Sequence, residues 1–308
     1  MAKHQSSNEV SLSVIITFHN EGLIAHKTML NIFELLQPFD EEKISYEIIL
    51  HVDNGDSGTL EYLNRYRDDS RIRIIENSFG NPSDSRNFCA KAARGRYLAL
   101  LDGDDILSRN FLIDGFHMLE EHSPEPIILH VEADITFGVG EAGPRIWFMS
   151  DSRPDADEDT INMFTRNRWS AAVILPKSIA LKYPYKPSRH GYGYEDWVFN
   201  LDTRHAGIHH RIVPESTKLY RVHAGSTYSL HGADNAVTYH SEMFNTPYMQ
   251  SLAKRFAAGD CTIKNPNVAP KRFSRLFRRA LGHVYDTISG MPHLGVPMRR
   301  YLGYVNRK

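Results

Sequence analysis

The stretch YLALLDGDD, residues Tyr97–Asp105, joins an apolar, strand-like run directly to three carboxylates, Asp102, Asp104 and Asp105. Burying a strand that ends in several acidic groups costs free energy unless a positive charge lies beside them. A divalent cation that carries a phosphorylated ligand would supply that charge, because Mg²⁺ and Mn²⁺ bind one or two carboxylates together with phosphate oxygens. The stretch therefore points to chemistry on a nucleoside diphosphate.

The residues before this stretch alternate between strand-like and helix-like patterns. We predict strands at Ser13–Thr17, Tyr46–Val52, Ile72–Ile75 and Tyr97–Leu101, and helices at 22–36, Leu60–Tyr66 and Pro82–Ala93, the last with Asn81 as N-cap. This alternation predicts a mostly parallel, doubly wound α/β sheet, in which ligands bind at the carboxyl ends of the strands. Because Thr17, Asp53 and Asp102 all lie at such ends, we expect them to share one crevice.

The pattern changes after Asp105. We predict helices at Ser108–His122, with Ser108 as N-cap, and Glu195–His205, and strands at Ile127–Phe137, Ala171–Leu175 and Lys218–His223.

Two motif matches in this half do not have the structural context that the motif requires. The sequence GVGEAG (138–143) matches a dinucleotide-binding fingerprint but precedes a proline instead of a helix. The acidic series at 155–159 lacks the glycine and the glutamate of a calcium loop.

Composition indicates a globular protein with an uneven charge. The 308 residues are 41% hydrophobic and carry a net charge of −1, yet residues 264–308 contain ten Lys or Arg and one acid. Their charge of +9 leaves −10 for residues 1–263. Cys89 and Cys261 have no metal-binding spacing, which predicts reduced thiols. With no secretory signal and no long apolar run, we expect a cytoplasmic protein.

The basic tail, residues 259–308, has the pattern of an amphipathic helix. Apolar side chains recur at helical spacing and basic side chains fill the opposite arc; the apolar set is Phe273, Leu276, Phe277, Ala280, Leu281 and Val284. Such a helix is typical of a peripheral element on an anionic membrane surface, here the cytoplasmic face. It is equally consistent with a helix docked on the acidic remainder of the chain.

Five ordered blocks resemble the family-two inverting glycosyltransferases, which have the GT-A fold. The blocks are SVIITFHNE (13–21), VDNG (52–55), the segment 77–105 that ends in the DxD motif, YEDW (194–197) and YRVHAGS (220–226). The resemblance covers about residues 12–230. It implies a catalytic domain at 1–258, with a nucleotide-sugar half to about residue 105 and an acceptor half from about 106.

The resemblance also implies roles on the donor side. Asp104 and His223 would hold Mn²⁺ or Mg²⁺, and eight residues would bind the nucleotide sugar: Thr17, Phe18, His19, Glu21, Asp53, Arg86, Asp102 and Gly103. Asp53 would accept a hydrogen bond from the nucleobase, or cap the Asn-Gly turn after it, which aspartate often does. Arg86, near a helix N-terminus, would bind the diphosphate, or would form a salt bridge to Asp84 or Asp102.

On the acceptor side, the resemblance favours Asp196 as the catalytic base and Glu195 as a residue that holds the acceptor. The alternative is an acidic first turn that stabilises the following helix through its dipole. Tyr194 and Trp197, with Tyr192, would form a sugar-binding wall or belong to the core.

These features predict a metal-dependent, inverting glycosyltransferase. It would move a sugar from a UDP-, GDP- or dTDP-linked donor to a glycan or lipid-linked hydroxyl in cell-surface polysaccharide synthesis, without a nucleic-acid partner. The Gln-x-x-Arg-Trp motif of processive synthases is absent from the sequence, which favours non-processive transfer. A non-catalytic nucleotide-sugar or glycan-binding protein on the same fold is the alternative. A sugar-phosphate nucleotidyltransferase is disfavoured, because no Gly-rich basic loop follows the first strand.

Overall fold

The computed structural model describes residues 10–138, 146–152, 163, 166–188, 191–222, 237–244 and 246–258. The predictions for His223, for the basic tail and for the acidic series at 155–159 lie outside these residues, as does most of GVGEAG. No helix in the described ranges is long and apolar enough to cross a bilayer.

The described strands form one nine-stranded sheet. They are β1 Leu12–Phe18, β2 Tyr46–Asp53, β3 Ile72–Asn77, β4 Tyr97–Asp102, β5 Ile106–Leu107, β6 Ile127–Gly138, β7 Ile146–Phe148, β8 Val173–Pro176 and β9 His209–Val222. The helices are α1 Ile24–Glu41, α2 Ser57–Leu63, α3 Pro82–Ala92, α4 Phe111–His122, α5 Lys177–Lys182, α6 Glu195–His205 and α7 Thr246–Ala257. Short 3₁₀ turns lie at Asn64–Tyr66 and Glu242–Phe244.

The sheet confirms the predicted α/β architecture. Its strand order is β3-β2-β1-β4-β8-β6-β9-β5, with β7 beside β6. Strands β3, β2, β1 and β4 are mutually parallel, and β8 joins β4 and β6 in antiparallel fashion. Thr17 of β1 lies opposite Asp102 of β4 and His51 of β2. The carboxyl ends of β1, β2 and β4 therefore meet at one edge of the sheet.

Both faces of the parallel half are covered, which explains why its strands are apolar at nearly every position. On one face, Val14 and Ile16 belong to the cluster that includes Met29 and Ile32 of α1. On the other face, Ile15 belongs to a second cluster. With the strands fixed from both sides, the loops at their carboxyl ends have a rigid support.

Two predicted boundaries in the second half are wrong. The helix predicted from Ser108 begins at Phe111, because Ser108 exchanges hydrogen bonds of 2.8 Å with Thr217 of β9 and so extends the sheet. Strand β9 begins at His209 instead of Lys218. The pairing of β9 with β6 shifts register at residues 131–133 of β6, and Glu215 has a positive φ of 61°. These irregularities interrupt the side-chain alternation of β9, so its first half was not predicted as a strand.

Candidate active site

The DxD loop is tied to the end of β1. The Thr17 hydroxyl donates to Asp102 Oδ1 at 3.3 Å, and the Gly103 amide donates to the Thr17 carbonyl at 2.8 Å. The Thr28 hydroxyl of α1 donates to the Gly103 carbonyl at 2.7 Å. These bonds fix the direction in which the loop leaves the sheet.

Gly103 and Phe18, both predicted to bind the nucleotide sugar, are packing residues in this structure. Phe18 is 1% exposed, so its ring is part of the core. A Cβ atom on Gly103 would lie 2.4 Å from the ring of Phe18 and 2.9 Å from the Thr17 carbonyl oxygen. Only glycine fits there, because β1 and the DxD loop approach each other so closely.

Arg86 connects the donor side to the predicted catalytic residues. Its Nη2 donates to Asp102 Oδ1 at 2.7 Å and its Nη1 donates to Glu195 Oε1 at 2.8 Å, with the side chain only 5% exposed. The Tyr185 ring lies 5.5 Å from the guanidinium carbon. Burial alone would raise the pKa of Asp102, but the charges of Arg86 and Lys218, together with the hydrogen bonds from Arg86 and Thr17, hold it below its ordinary value. The salt bridge considered from the sequence is therefore present, and Glu195 is its second partner.

Asp53 orders the loop between β3 and α3. Its carboxylate accepts hydrogen bonds of 2.7–3.1 Å from three consecutive amides, Phe79, Gly80 and Asn81, and one of 3.0 Å from the Ser85 hydroxyl. A carboxylate has about four acceptor positions, so a nucleobase would have to displace one of these donors. The sequence suggested that Asp53 could cap the Asn-Gly turn that follows it. In the structure, the backbone amides that its carboxylate binds belong instead to the loop before α3. Asn81 caps α3 as predicted, accepting from the Asp84 amide at 2.9 Å.

The loop after β1 brings Glu21 towards the DxD motif. The His19 ring nitrogen Nδ1 lies 2.5 Å from the Asp53 carbonyl oxygen, and the His19 amide donates to Glu21 at 2.6 Å. Burial raises the pKa of Glu21 to about 7, and the negative charge of Asp104 contributes. Glu21 and Asp104 are therefore close enough to repel each other.

Asp104 pairs with Arg221 and stays partly exposed. The Arg221 guanidinium lies 3.6 Å from its carboxylate, whose side chain is 17% exposed. Burial and the Asp102 charge raise the pKa of Asp104 to about 6. A divalent cation fits this oxygen donor with its excess negative charge. The described residues contain no group of three metal-ligating side chains, so substrate phosphates would have to supply further ligands.

Sequence reasoning missed Lys218, which is the counter-ion of the third carboxylate. Its ammonium group is buried on β9, 3.3 Å from Asp105 Oδ2 and 3.6 Å from Asp134 Oδ2. Burial alone would lower the pKa of Lys218, but the two carboxylates raise it, so the lysine stays charged. Asp105 shares this cation with Asp134 and is fully buried, and burial raises its pKa well above the ordinary value. The more exposed Asp104 is therefore the better candidate for an external cation.

Asp196 lies in the first turn of α6 with two hydrogen bonds. The Asn167 amide donates to Oδ2 at 2.8 Å and the Trp197 backbone amide donates to Oδ1 at 2.8 Å. Burial, and then the charge of Glu195, raise the pKa of Asp196 to about 7. A carboxylate with a pKa near the working pH is suited to general-base catalysis. The acidic first turn considered from the sequence is present as well, because Oδ1 of Asp196 accepts a hydrogen bond from a backbone amide of that turn.

The aromatic neighbours of Asp196, Tyr194 and Trp197, are both half-buried. Trp197 packs against the core and donates its indole N–H to the Met163 carbonyl at 2.8 Å. The Tyr194 ring meets Trp197 edge-on, with centroids 6.1 Å apart. Tyr194 precedes α6 in the left-handed conformation, with φ 57° and ψ 48°. Strain of this kind in a non-glycine residue is common at functional sites.

Comparisons with known proteins identify the family of this chain. Residues 13–171, more than half of the chain, match the family model described as glycosyl transferase family 2. The chain is 25% identical over 193 residues to the poly(ribitol-phosphate) beta-N-acetylglucosaminyltransferase TarP of Staphylococcus aureus, covering 62% of this chain and 56% of TarP. It is 26% identical over 187 residues to the beta-1,3-glucosyltransferase WfaP of Escherichia coli, covering 58% of this chain and 67% of WfaP.

Solved structures share the fold. The S. aureus TarS fragment 1–349 in complex with UDP-GlcNAc has a TM-score of 0.54 at 17% identity, covering 92% of this chain and 82% of that one. The mannosyltransferase PcManGT of Pyrobaculum calidifontis, in complex with GDP-Man and Mn²⁺, has a TM-score of 0.52 at 13% identity, covering 98% and 81%. In the curated relatives, the match spans only 21% of TarS and 56% of TarP. The chain belongs to glycosyl transferase family 2.

Proposed function

We propose that this protein is a metal-dependent, inverting and non-processive glycosyltransferase that moves a sugar from a nucleoside-diphosphate donor to a hydroxyl of a glycan or lipid-linked acceptor. The observation that carries this proposal is the continuous link Asp102–Arg86–Glu195. It places the DxD loop and Glu195, the first residue of α6, on the same buried cation. The proposed base, Asp196, directly follows Glu195.

The relatives support the substrate class. TarP and a Bacillus spizizenii homologue, 25% identical over 205 residues, are named for transfer to poly(ribitol-phosphate). WfaP is named for transfer to a diphosphoundecaprenol-linked sugar. We therefore propose an acceptor in cell-surface polysaccharide synthesis. UDP-linked and GDP-linked sugars are both candidate donors, since the structural neighbours are complexes with each.

The chain's own residues divide the reaction between them. Asp104 and His223 would hold the metal, which would supply positive charge to the leaving diphosphate. The Asp196 carboxylate accepts the proton of the acceptor hydroxyl as that oxygen attacks the anomeric carbon. The nucleoside diphosphate leaves from the opposite side, so the anomeric configuration inverts. Arg86 holds Asp102 and Glu195 at fixed positions, and this orientation lowers the entropic part of the barrier.

Asp104→Asn should abolish metal-dependent donor binding. The change removes the charge of the partly exposed carboxylate to which the metal is assigned in this proposal. The measurement is a thermal-shift and calorimetry screen of UDP-, GDP- and dTDP-sugars with and without Mn²⁺. A donor at a hundred times its Kd should stabilise the wild type by about 2.7 kcal/mol. Asp68→Asn, the same change at an exposed position, should behave as the wild type. Wild-type donor affinity and manganese dependence in Asp104→Asn would contradict the proposed metal site.

Transfer should lose rate below about pH 7. The base must be ionised to accept a proton, and burial raises the pKa of Asp196 to about 7. The unprotonated fraction therefore falls about tenfold for each pH unit below that value. The measurement is kcat/KM between pH 5.5 and 9.

Glu21 is the control for this profile, because the pKa of its carboxyl is also about 7. In Glu21→Gln, kcat/KM should still fall below about the same pH as in the wild type, whether or not the maximal rate changes. A rate that stays constant down to pH 5.5 would exclude Asp196 as the base, and so would a Glu21→Gln enzyme whose acid limb disappears.

A further inference from the structure

Two tyrosine rings are stacked next to the start of α6. The ring centroids of Tyr192 and Tyr239 are 4.2 Å apart, with 18° between their planes. Tyr192 remains 40% exposed, whereas Tyr239 is half-buried behind it. The sequence left open whether Tyr192 belongs to the core, and its exposure shows that it does not. Tyr239 had no sequence signal at all, since it lies 47 positions away.

The backbone holds this pair in place. The Gly193 amide donates to the Val237 carbonyl at 3.0 Å, and the Val237 amide donates to the Gly191 carbonyl at 2.9 Å. These bonds form an isolated parallel bridge between Tyr192 and Val237. The exposed ring therefore has a rigid backing and a fixed orientation, so binding a ligand on it would cost little ordering entropy.

The pair also lies within reach of the proposed base. Tyr192 and Asp196 are four residues apart, so their Cα atoms lie within about 14 Å of each other even in an extended chain. A pyranose ring is about 5 Å across. A ring that contacts Tyr192 would thus lie within about three sugar units of the hydroxyl that Asp196 deprotonates.

We propose that Tyr192, backed by Tyr239, forms an acceptor subsite for a pyranose ring; this inference rests on the proposed glycosyltransferase function. A pyranose has a flat face of C–H groups that covers an aromatic ring, while its hydroxyl groups remain in water. Tyrosine suits such a ligand, because its body is apolar and its tip is polar. An acyclic polyol phosphate has no such face and must lose many rotations to lie flat. The subsite therefore selects acceptors that present a sugar ring near the reacting hydroxyl.

Saturation-transfer NMR on the full chain tests this subsite. The probes are methyl β-D-glucopyranoside, methyl β-D-galactopyranoside and methyl N-acetyl-β-D-glucosaminide, with ribitol 5-phosphate as the acyclic comparison. We expect saturation transfer to the C–H protons of at least one pyranoside, and a Kd for it that rises about three- to tenfold in Tyr192→Leu. Tyr192→Phe should retain binding because it keeps the ring. Phe88→Leu, a change at an aromatic residue of similar exposure on α3, should have no effect.

Each outcome bears on the subsite separately from the proposed function. Manganese-dependent donor binding is measured on the same samples, and Tyr192→Leu should leave it unchanged. If the wild type binds no donor, the proposed function fails. If donor binding is intact, the subsite is overturned by any of three results: no pyranoside binds, Tyr192→Leu binds them as the wild type does, or ribitol 5-phosphate shows the same dependence on Tyr192.

Discussion

Asp196→Asn is expected to slow glycosyl transfer by about 10²–10⁴-fold while leaving donor affinity unchanged. The amide has the shape of the carboxylate and still accepts the 2.8 Å hydrogen bond from the Trp197 amide, but it cannot accept a proton from the acceptor. The loss corresponds to about 3–5 kcal/mol of transition-state stabilisation. It is measured as kcat with the donor that the binding screen selects, with transfer to the acceptor or to water as the readout.

The unfolding temperature of Asp196→Asn distinguishes a loss of catalysis from misfolding. The raised pKa of Asp196 means that the folded state binds its proton more tightly than the unfolded state does. The stability that this group contributes is present below its ordinary pKa and is lost as the pH rises through about 7. Asp196→Asn removes the charge, which offsets the loss of the hydrogen bond from Asn167 to Oδ2, so at pH 8 the variant should remain folded at the assay temperature and unfold cooperatively. Asp202→Asn, the same change in the same helix, should retain transfer. Full activity in Asp196→Asn would assign the base elsewhere.

Arg86→Met should destabilise the protein by about 3–5 kcal/mol, because it leaves two carboxylates, Asp102 and Glu195, without their shared cation. Both side chains lose a charged hydrogen bond shorter than 3 Å, and Glu195 is buried. The measurement is urea unfolding at pH 8, where these carboxylates would have to stay charged. Donor binding should weaken as well, since Asp102 would no longer be held beside Thr17.

Two comparisons make this prediction specific. Arg71→Met removes an arginine whose ion pairs are exposed to solvent, and should cost no more than about 1 kcal/mol. Arg86→Met leaves the carboxylates of Asp102 and Glu195 without their arginine partner. Adding Glu195→Gln removes one of these two negative charges, so the double variant should recover part of the lost stability. Equal losses for Arg86→Met and Arg71→Met would show that the buried bridge contributes nothing beyond a surface pair.

Local patterns in the sequence were sufficient for the parallel half of the fold. Apolar runs bounded by turn residues located β1 to β4, and Asn81 with Pro82 located the start of α3. These signals depend on neighbours within a few positions, and so they can be read from the chain alone. The predicted boundaries failed where tertiary contacts override the local pattern, as at Ser108, which bonds to a strand 109 positions later.

The candidate site shows the same limit. The carboxylates at the strand ends were found, because their clustering in the sequence is itself unusual. The pairing of Arg86 with Asp102 was considered from the sequence, but Lys218 was not, because it follows Asp105 by 113 positions and no pattern joins them. The positive charge beside the third carboxylate is therefore supplied by a residue that the sequence analysis did not name. Long-range pairing also explains why Asp53 was not recognised as the residue that orders the loop before α3.

The bridge from Arg86 to Glu195 constrains how enzymes of this kind can be recombined. It joins residues on either side of the boundary predicted near residue 105, where one would cut to build chimeras with new acceptor preferences. If a transplanted second segment lacks an acidic residue at position 195, Arg86 of the first segment would be buried without this carboxylate partner. Successful grafts should therefore inherit both members of the pair together, and libraries that shuffle the two segments freely should be depleted of every mismatched combination.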